Sequence, residues 1–273
     1  MTTLTPPPAS LAATVPARRG ATAGLRDTAV LARRALRHQV RHIDGLIMGA
    51  ALPVILLLVF VYVFGGAIAG HTDYLHYVVP GIIVLAGGFG AAQVALAVTD
   101  DLGSGTIDRL RAMGTPPAAL LGGHVVANLL RNLGSMVLVV ALAVAIGFRP
   151  GASPLAWLGA VGVAALFILA IASLSVVIGV VAGSPEGASG FTFFVLFLPY
   201  LSSAFVPPET LPAALRGLAE HQPVTPVIET MRGLLLSQPI GTAWWRALVW
   251  CLGLVAVAVP LAAWLLRRRA DGR

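Results

Sequence analysis

Six long apolar stretches, bracketed by arginines, leave this chain little choice of solvent. They run at about 45–64, 77–98, 127–148, 155–181, 190–206 and 244–266. A helix needs ~20 apolar residues to cross ~30 Å of hydrocarbon at ~1.5 Å per residue. Each stretch reaches or approaches that length, the fifth being the shortest. Pro53 marks a kink in the first, and Trp244 and Trp245 are placed as interfacial anchors at one end of the last. Only 11% of the residues are charged, against ~25% in a soluble domain, so the polar surface cannot clothe a globule in water. The pattern predicts an all-α polytopic membrane protein with six transmembrane helices.

The arginines choose an orientation, because cationic side chains are retained on the cytoplasmic face. With the N-terminus inside, the inner segments 1–44, 99–118, 182–189 and 267–273 hold seven, two, no and four arginines. The outer segments 65–76, 149–154 and 207–243 hold none, one and two. The expectation is a multi-pass protein of the cell membrane with both termini cytoplasmic. The net charge of +7 then reflects orientation and anionic headgroups, and nucleic acid is not an expected partner. Residues 1–20 read as a flexible tail, 45–266 as the transmembrane domain and 267–273 as a short inner tail. Residues 21–44 alternate apolar positions with Arg33, Arg34, Arg37 and Arg41 at roughly helical spacing. That predicts an amphipathic helix lying in the cytoplasmic interface, in contact with membrane lipids.

All 18 basic residues are arginine. The phosphate-binding loop GxxxxGK[ST] needs a lysine to reach the β- and γ-phosphates. This chain cannot hold that loop, so if ATP drives it, ATP and Mg are bound by another subunit. Cys251 lies alone in an apolar run and reads as a small core residue. His38 and His42 are four apart beside Asp44, but no third ligand follows, so no metal site and no cofactor are assigned. No catalytic nucleophile–base pair falls within the spans. Ser173, Ser175, Ser202 and Ser203 are expected to bond within or between helices. His71 and His76 flank an outer loop and are expected to face water.

Two loops carry the functional signal. Residues 100–117 hold dense charge of both signs: Asp100, Asp101, Gly105, Thr106, Ile107, Asp108, Arg109, Leu110 and Arg111, closed by Pro116 and Pro117. Thr106 can cap a short helix in which Ile107, Leu110 and Met113 share a face. Two readings stand: an apolar ridge for a partner's groove with charges at the rim, or a solvated turn. Residues 207–243 are too long for a turn and too apolar for a soluble loop. Two half-length helices near 211–218 and 227–236, broken by Pro207, Pro208, Pro223 and Pro226, suggest a re-entrant hairpin at the outer face. It carries Glu209, Arg216, Glu220, His221, Glu229 and Arg232, with Glu229 and Arg232 spaced to pair. It is either a gate or a cap over the bundle. Inside the spans, Arg131 is expected near the inner edge, snorkelling out, while Gln93 and Thr99 are candidates for a polar path.

Four groups of residues together resemble the membrane subunit of an ABC exporter of the ABC-2 class, nearest to the daunorubicin/doxorubicin-resistance permeases. They are the arginine-rich lead-in followed by Leu52-Pro53-Val54 and Val63-Phe64-Gly65, then Asp101-x3-Gly105-Thr106-x-Asp108-Arg109-Leu110-Arg111 with Pro116-Pro117. Ile146-Gly147-Phe148-Arg149 is the third, and Glu220-His221-Gln222-Pro223-Val224-Thr225-Pro226 leading to Met231-Arg232-Gly233 the fourth. The resemblance covers about 25–268. It implies six spanning helices, dimerisation with a second permease copy, and one separate ATPase subunit docked on each copy. It also implies that 100–113 is the coupling helix and that a hydrophobic or amphipathic compound is exported. An ion-driven transporter would need acidic or histidine residues in mid-membrane, and a lipid-modifying enzyme a convergent polar site in the spans. Neither stands out in the sequence.

Overall fold

A computed structural model describes residues 43–68, 71–107, 109 and 117–271. The predicted interfacial helix with Arg33, Arg34, Arg37 and Arg41 lies outside the described residues, as do Asp108, Leu110 and Arg111. Every regular element among the described residues is helical. Helix α1 (Ile43–Leu58) continues as a π-helical segment, Val59–Phe64, and a last turn, Gly65–Ile68. Then come α2 (His71–Gly103), α3 (Pro117–Ala145), α4 (Pro154–Ala182), α5 (Pro185–Phe197), α6 (Ala213–His221), α7 (Val224–Leu236) and α8 (Ala243–Asp271).

Four segments are long and apolar enough to cross a bilayer: Tyr74–Gly103, Gly122–Ala145, Pro154–Ala182 and Ala243–Arg269. The other two expected crossings are shorter. In the first, the apolar helix is Gly49–Phe64. In the fifth, the 13 residues of α5 give only about 20 Å of helix. Burial sorts the four long segments. The apolar window of α2 is 72% buried and that of α8 only 17%, so α2 is the axis of the bundle and α8 lies at its edge. Helices α3, α4, α5 and α7 pack around α2, and α8 closes on α4.

Helix ends follow local chemistry. Ser153 accepts a hydrogen bond from the Ala156 amide at 3.2 Å and Pro154 opens α4, while Gly183 ends it with φ of 68°. Ser184 and Pro185 repeat that start one residue later, Ser184 accepting from the Gly187 amide at 3.3 Å. Pro is favoured at the first helical position because its missing N–H has no partner there in any case. The turn expected over 182–189 is therefore confined to Gly183 and Ser184, and the fifth helix starts five residues before the expected position 190. Pro226 does not break its helix, contrary to expectation. It sits in the first turn of α7, where a missing N–H is tolerated.

After α5 the chain does not run straight to 206. A 3-10 turn, Leu198–Leu201, leads into a buried turn at 202–205. Irregular backbone inside a bundle survives only if its polar groups find partners. Here they do. Tyr74 donates to the Phe205 carbonyl at 3.1 Å, Arg232 to the Ser203 carbonyl at 2.6 Å, and Gln222 to the carbonyls of Leu198 and Leu201. Phe60 stacks on Phe205 with centroids 4.1 Å apart, joining α1 to the same turn.

Candidate functional site

The segment singled out at 100–111 hangs from one end of α2. Asp100 and Asp101 belong to the last turn of that helix rather than to a loop, because α2 continues past the apolar window to Gly103. Ser104 and Gly105 make the turn, and Gly105 has φ of 70°, a conformation glycine adopts without steric strain. A new helical turn then begins. The Arg109 amide bonds the Gly105 carbonyl at 3.1 Å, so Gly105 caps it and Thr106 is its first residue, with its hydroxyl 2.8 Å from that of Ser104. The expected capping role of Thr106 thus moves one residue back. Ile107 is buried, while Leu110 and Met113, the other members of the expected ridge, lie outside the described residues. The exposed side chains here are Asp100, Ser104 and Arg109.

Asp101 meets a residue the sequence reading passed over. Its carboxylate lies 2.7 Å from His124 Nε2 on α3, tying the Asp101 end of α2 to α3. Both side chains are about one quarter exposed, and a pair this open contributes less than about 1 kcal/mol. A double-mutant cycle of Asp101→Asn and His124→Gln in thermal unfolding is expected to give a coupling energy under ~1 kcal/mol. A larger value would mean that the pair carries the end of the bundle.

From this end a polar cleft of about 460 Å³ runs between α1, α2 and α3. Gly49, Phe89, Gly90, Gln93, Asp100, His124, Asn128, Arg131, Asn132 and Ser135 line it. The α3 members stand at i, i+4, i+7, i+8 and i+11 from His124, which is one face of a helix. That stripe is visible in the sequence, but the apolar run that marks the third span begins only at about 127, past His124. Arg131 is the middle residue of α3, which begins at Pro117. Its guanidinium turns into the cleft, 3.5 Å from the Gly90 carbonyl. A charged residue within a spanning helix is costly and asks for polar surroundings. Asn128 donates to the Gly90 carbonyl at 2.9 Å, and Asn132 to the Asn128 side-chain oxygen at 2.7 Å. Of the two residues expected on a polar path, Gln93 lines this cleft. Thr99 instead bonds the carbonyls of Ala95 at 2.8 Å and Gly179 at 3.0 Å, a helix-packing role. Ser173 and Ser175 bond back along their own helix, at 2.7 Å each.

The opposite end of the bundle gathers the residues of 207–243. The expected Glu229–Arg232 pair is replaced by a latch. Arg232 donates to the Tyr77 and Ser203 carbonyls, at 3.2 and 2.6 Å, and its guanidinium lies 4.0 Å over the Tyr77 ring. The Ser203 carbonyl of the broken fifth segment and the Tyr77 carbonyl on α2 take the guanidinium in place of a half-buried carboxylate on the same helix. Arg246 donates to the Glu220 carbonyl at 2.6 Å, and Arg216 pairs with the Glu220 carboxylate at 2.9 Å on an exposed surface. His221 Nδ1 lies 2.8 Å from the Gly217 carbonyl, and Pro223 precedes α7. Pro207 and Glu209 are exposed. Helix α6 is largely exposed, whereas α7 is buried along most of its length. His76, expected to face water, accepts from the Arg149 amide at 3.3 Å.

Comparison with known proteins agrees with this geometry. The family model for the ABC-2 type transporter matches residues 26–236. The daunorubicin resistance ABC transporter permease protein DrrB1 of Streptomyces coeruleorubidus is 34% identical over 224 residues, 80% of this chain and 78% of that protein. The probable doxorubicin resistance ABC transporter permease protein DrrC of Mycobacterium tuberculosis is 26% identical over 242 residues, 86% of this chain and 87% of its own. With the loop at 100–117 and most of the 207–243 segment inside the matched region, this chain belongs to the ABC-2 type transporter family.

Proposed function

We propose that this chain is the permease half of an ATP-driven exporter, working as a dimer with a second permease copy and with a separate ATPase subunit on each. The observation that carries this reading is the ABC-2 match over 26–236, which encloses a charged helical turn held at one end of the axial helix. That turn, with Asp100, Asp101, Ser104 and Arg109, is the coupling element. Its rigid attachment through α2 is what passes the motion of the ATPase to the spans. The end carrying it is cytoplasmic, and the end carrying Tyr74, Arg232 and the α6–α7 hairpin is outside. The short α1 and the broken fifth segment complete six crossings, and both termini are inside. The hairpin dips into the outer leaflet and gates release. The substrate is a hydrophobic or amphipathic compound, as the drug-resistance names of the relatives suggest.

The test is reconstitution with the ATPase subunit in proteoliposomes. Export of a lipophilic dye is expected to require ATP. Arg109→Glu is expected to lower permease-stimulated ATP hydrolysis by about tenfold, the equivalent of ~1.4 kcal/mol, as loss of a charge-assisted contact implies. Insertion and thermal stability stay unchanged, because Arg109 is exposed. Transport that proceeds without nucleotide, or stimulation untouched by charge reversal at both Asp100 and Arg109, would remove this reading.

A further inference from the structure

The cleft between α1, α2 and α3 is more selective than a path for any hydrophobic compound. Its floor holds Arg131, a guanidinium that stays charged in proteins and presents five N–H donors in a planar fork. Among the side chains described, no carboxylate forms an ion pair with it. Its one hydrogen bond, to the Gly90 carbonyl, is a long 3.5 Å. Asp100 is the one carboxylate among the lining residues. It stands at the mouth, ten residues along α2 from Gly90, which is about 15 Å at helical rise. That is too far to neutralise Arg131. A cation within a spanning helix favours an opposite charge as partner, and the side chains described supply none within reach.

The neighbours complete an acceptor-binding set. Gln93, Asn128, Asn132 and Ser135 line the same cleft with amide and hydroxyl groups, the Asn128 NH2 donating to the Gly90 carbonyl and the Asn132 NH2 to Asn128. Phe89, Val94 and Ala97 supply an apolar wall. Arg131 lies seven residues from His124 at the mouth, about 10 Å, and four from Ser135, about 6 Å, at the helical rise. The next residue outward on α3, Leu130, is exposed, so an alkyl chain leaving the cleft sideways meets apolar surface. The volume of about 460 Å³ is within the usual range for one small ligand or headgroup.

We propose that this cleft binds an amphipath whose polar end is a phosphate or carboxylate, gripped by the Arg131 fork with the Gln93 amide beside it. The inference deepens the permease reading and names the class of molecule it takes. An amphipath with an ammonium head is disfavoured by the same guanidinium. Two sources share this chemistry: a transported acidic amphipath and a resident anionic phospholipid.

The test uses the full-length chain in phosphatidylcholine nanodiscs, without ATPase or nucleotide, with bound molecules counted by native mass spectrometry. Dodecyl phosphate and dodecyltrimethylammonium are the probes. Dodecyl phosphate is expected to bind saturably at one per chain, about tenfold or more tighter than the ammonium probe, as a bidentate charged contact implies. Arg131→Gln is expected to lose that preference and Arg131→Lys to keep part of it. Gln93→Leu, at a partly exposed position, is a second variant should Arg131→Gln fail to fold, and it is expected to weaken dodecyl phosphate alone. Equal binding of the two probes, or phosphate binding unchanged in folded Arg131→Gln and Gln93→Leu, overturns the proposal. Repeating the titration with phosphatidylglycerol in the disc separates the sources. Competition assigns the site to a resident lipid, its absence assigns it to cargo, and either supports an anion site. Because no ATPase is present, a negative result removes the anion site and leaves the exporter reading standing. Nucleotide-independent transport does the reverse.

Discussion

Arg232→Gln is expected to lower the stability of the protein by about 3 kcal/mol or more, the sum of two charge-assisted hydrogen bonds at ~1.5–3 kcal/mol each. The guanidinium bridges the Ser203 carbonyl at 2.6 Å and the Tyr77 carbonyl at 3.2 Å, and covers the Tyr77 ring at 4.0 Å. The stacking adds about 0.5–2 kcal/mol. Glutamine cannot reach both oxygens from the same stem, and the Ser203 carbonyl lies in a buried turn that nothing in its own strand of backbone satisfies. Arg232→Lys is expected to recover less than half of the loss, because an ammonium is a point donor and does not stack as a plane. Thermal unfolding in detergent measures both. A Gln variant as stable as the parent would mean that the turn at 202–205 is held by Tyr74 and Gln222 alone.

Gly179→Ala is expected to destabilise by about 2–3 kcal/mol, in the range for overpacking a tight contact. A Cβ there would stand 2.6 Å from the Ala95 carbonyl oxygen and 2.9 Å from Val98 Cβ. Both belong to the axial helix, so neither can swing away as a flexible side-chain end would. Separating α2 from α4 at this point also stretches the Thr99 hydroxyl off the Gly179 carbonyl, now at 3.0 Å. The same substitution at Gly162, on the same helix, meets nothing within 4 Å. There the intrinsic preference of a helix for alanine is expected to be neutral or to stabilise by up to ~1 kcal/mol. The two variants should therefore move in opposite directions in a thermal-shift comparison. A loss of equal size at both positions would point to helix propensity or membrane insertion rather than to the α2–α4 contact.

Much of this molecule was legible as a linear text. The apolar runs placed the long helices to within a few residues on their apolar sides, because spanning length and hydropathy are properties of consecutive residues. Errors arose where helices outran their apolar windows. α2 extends to Gly103 and α3 begins at Pro117, so Asp100, Asp101 and His124 became helical and Arg131 moved to mid-helix. A helix continues past hydrocarbon as long as no residue stops it, and hydropathy alone does not see that. The fifth segment failed for a different reason. Its turn at 202–205 depends on donors from Tyr74, Gln222 and Arg232, the first 131 residues away from its acceptor.

The sequence by itself determined the solvent, the helical class, the absence of a lysine-dependent nucleotide loop and the kinship with ABC-2 permeases. Each of these is written in composition or in short ordered motifs. Only the tertiary structure decided which polar residues meet. Asp101 finds His124 and not a neighbour in its own loop, Arg232 finds two carbonyls and not Glu229, and Arg131 faces a cleft shared with α1 and α2. The physical reason is that a polar group inside a bundle takes whichever partner the packing of apolar faces brings within about 3 Å. That partner is set by how helices cross, which no single stretch of residues encodes.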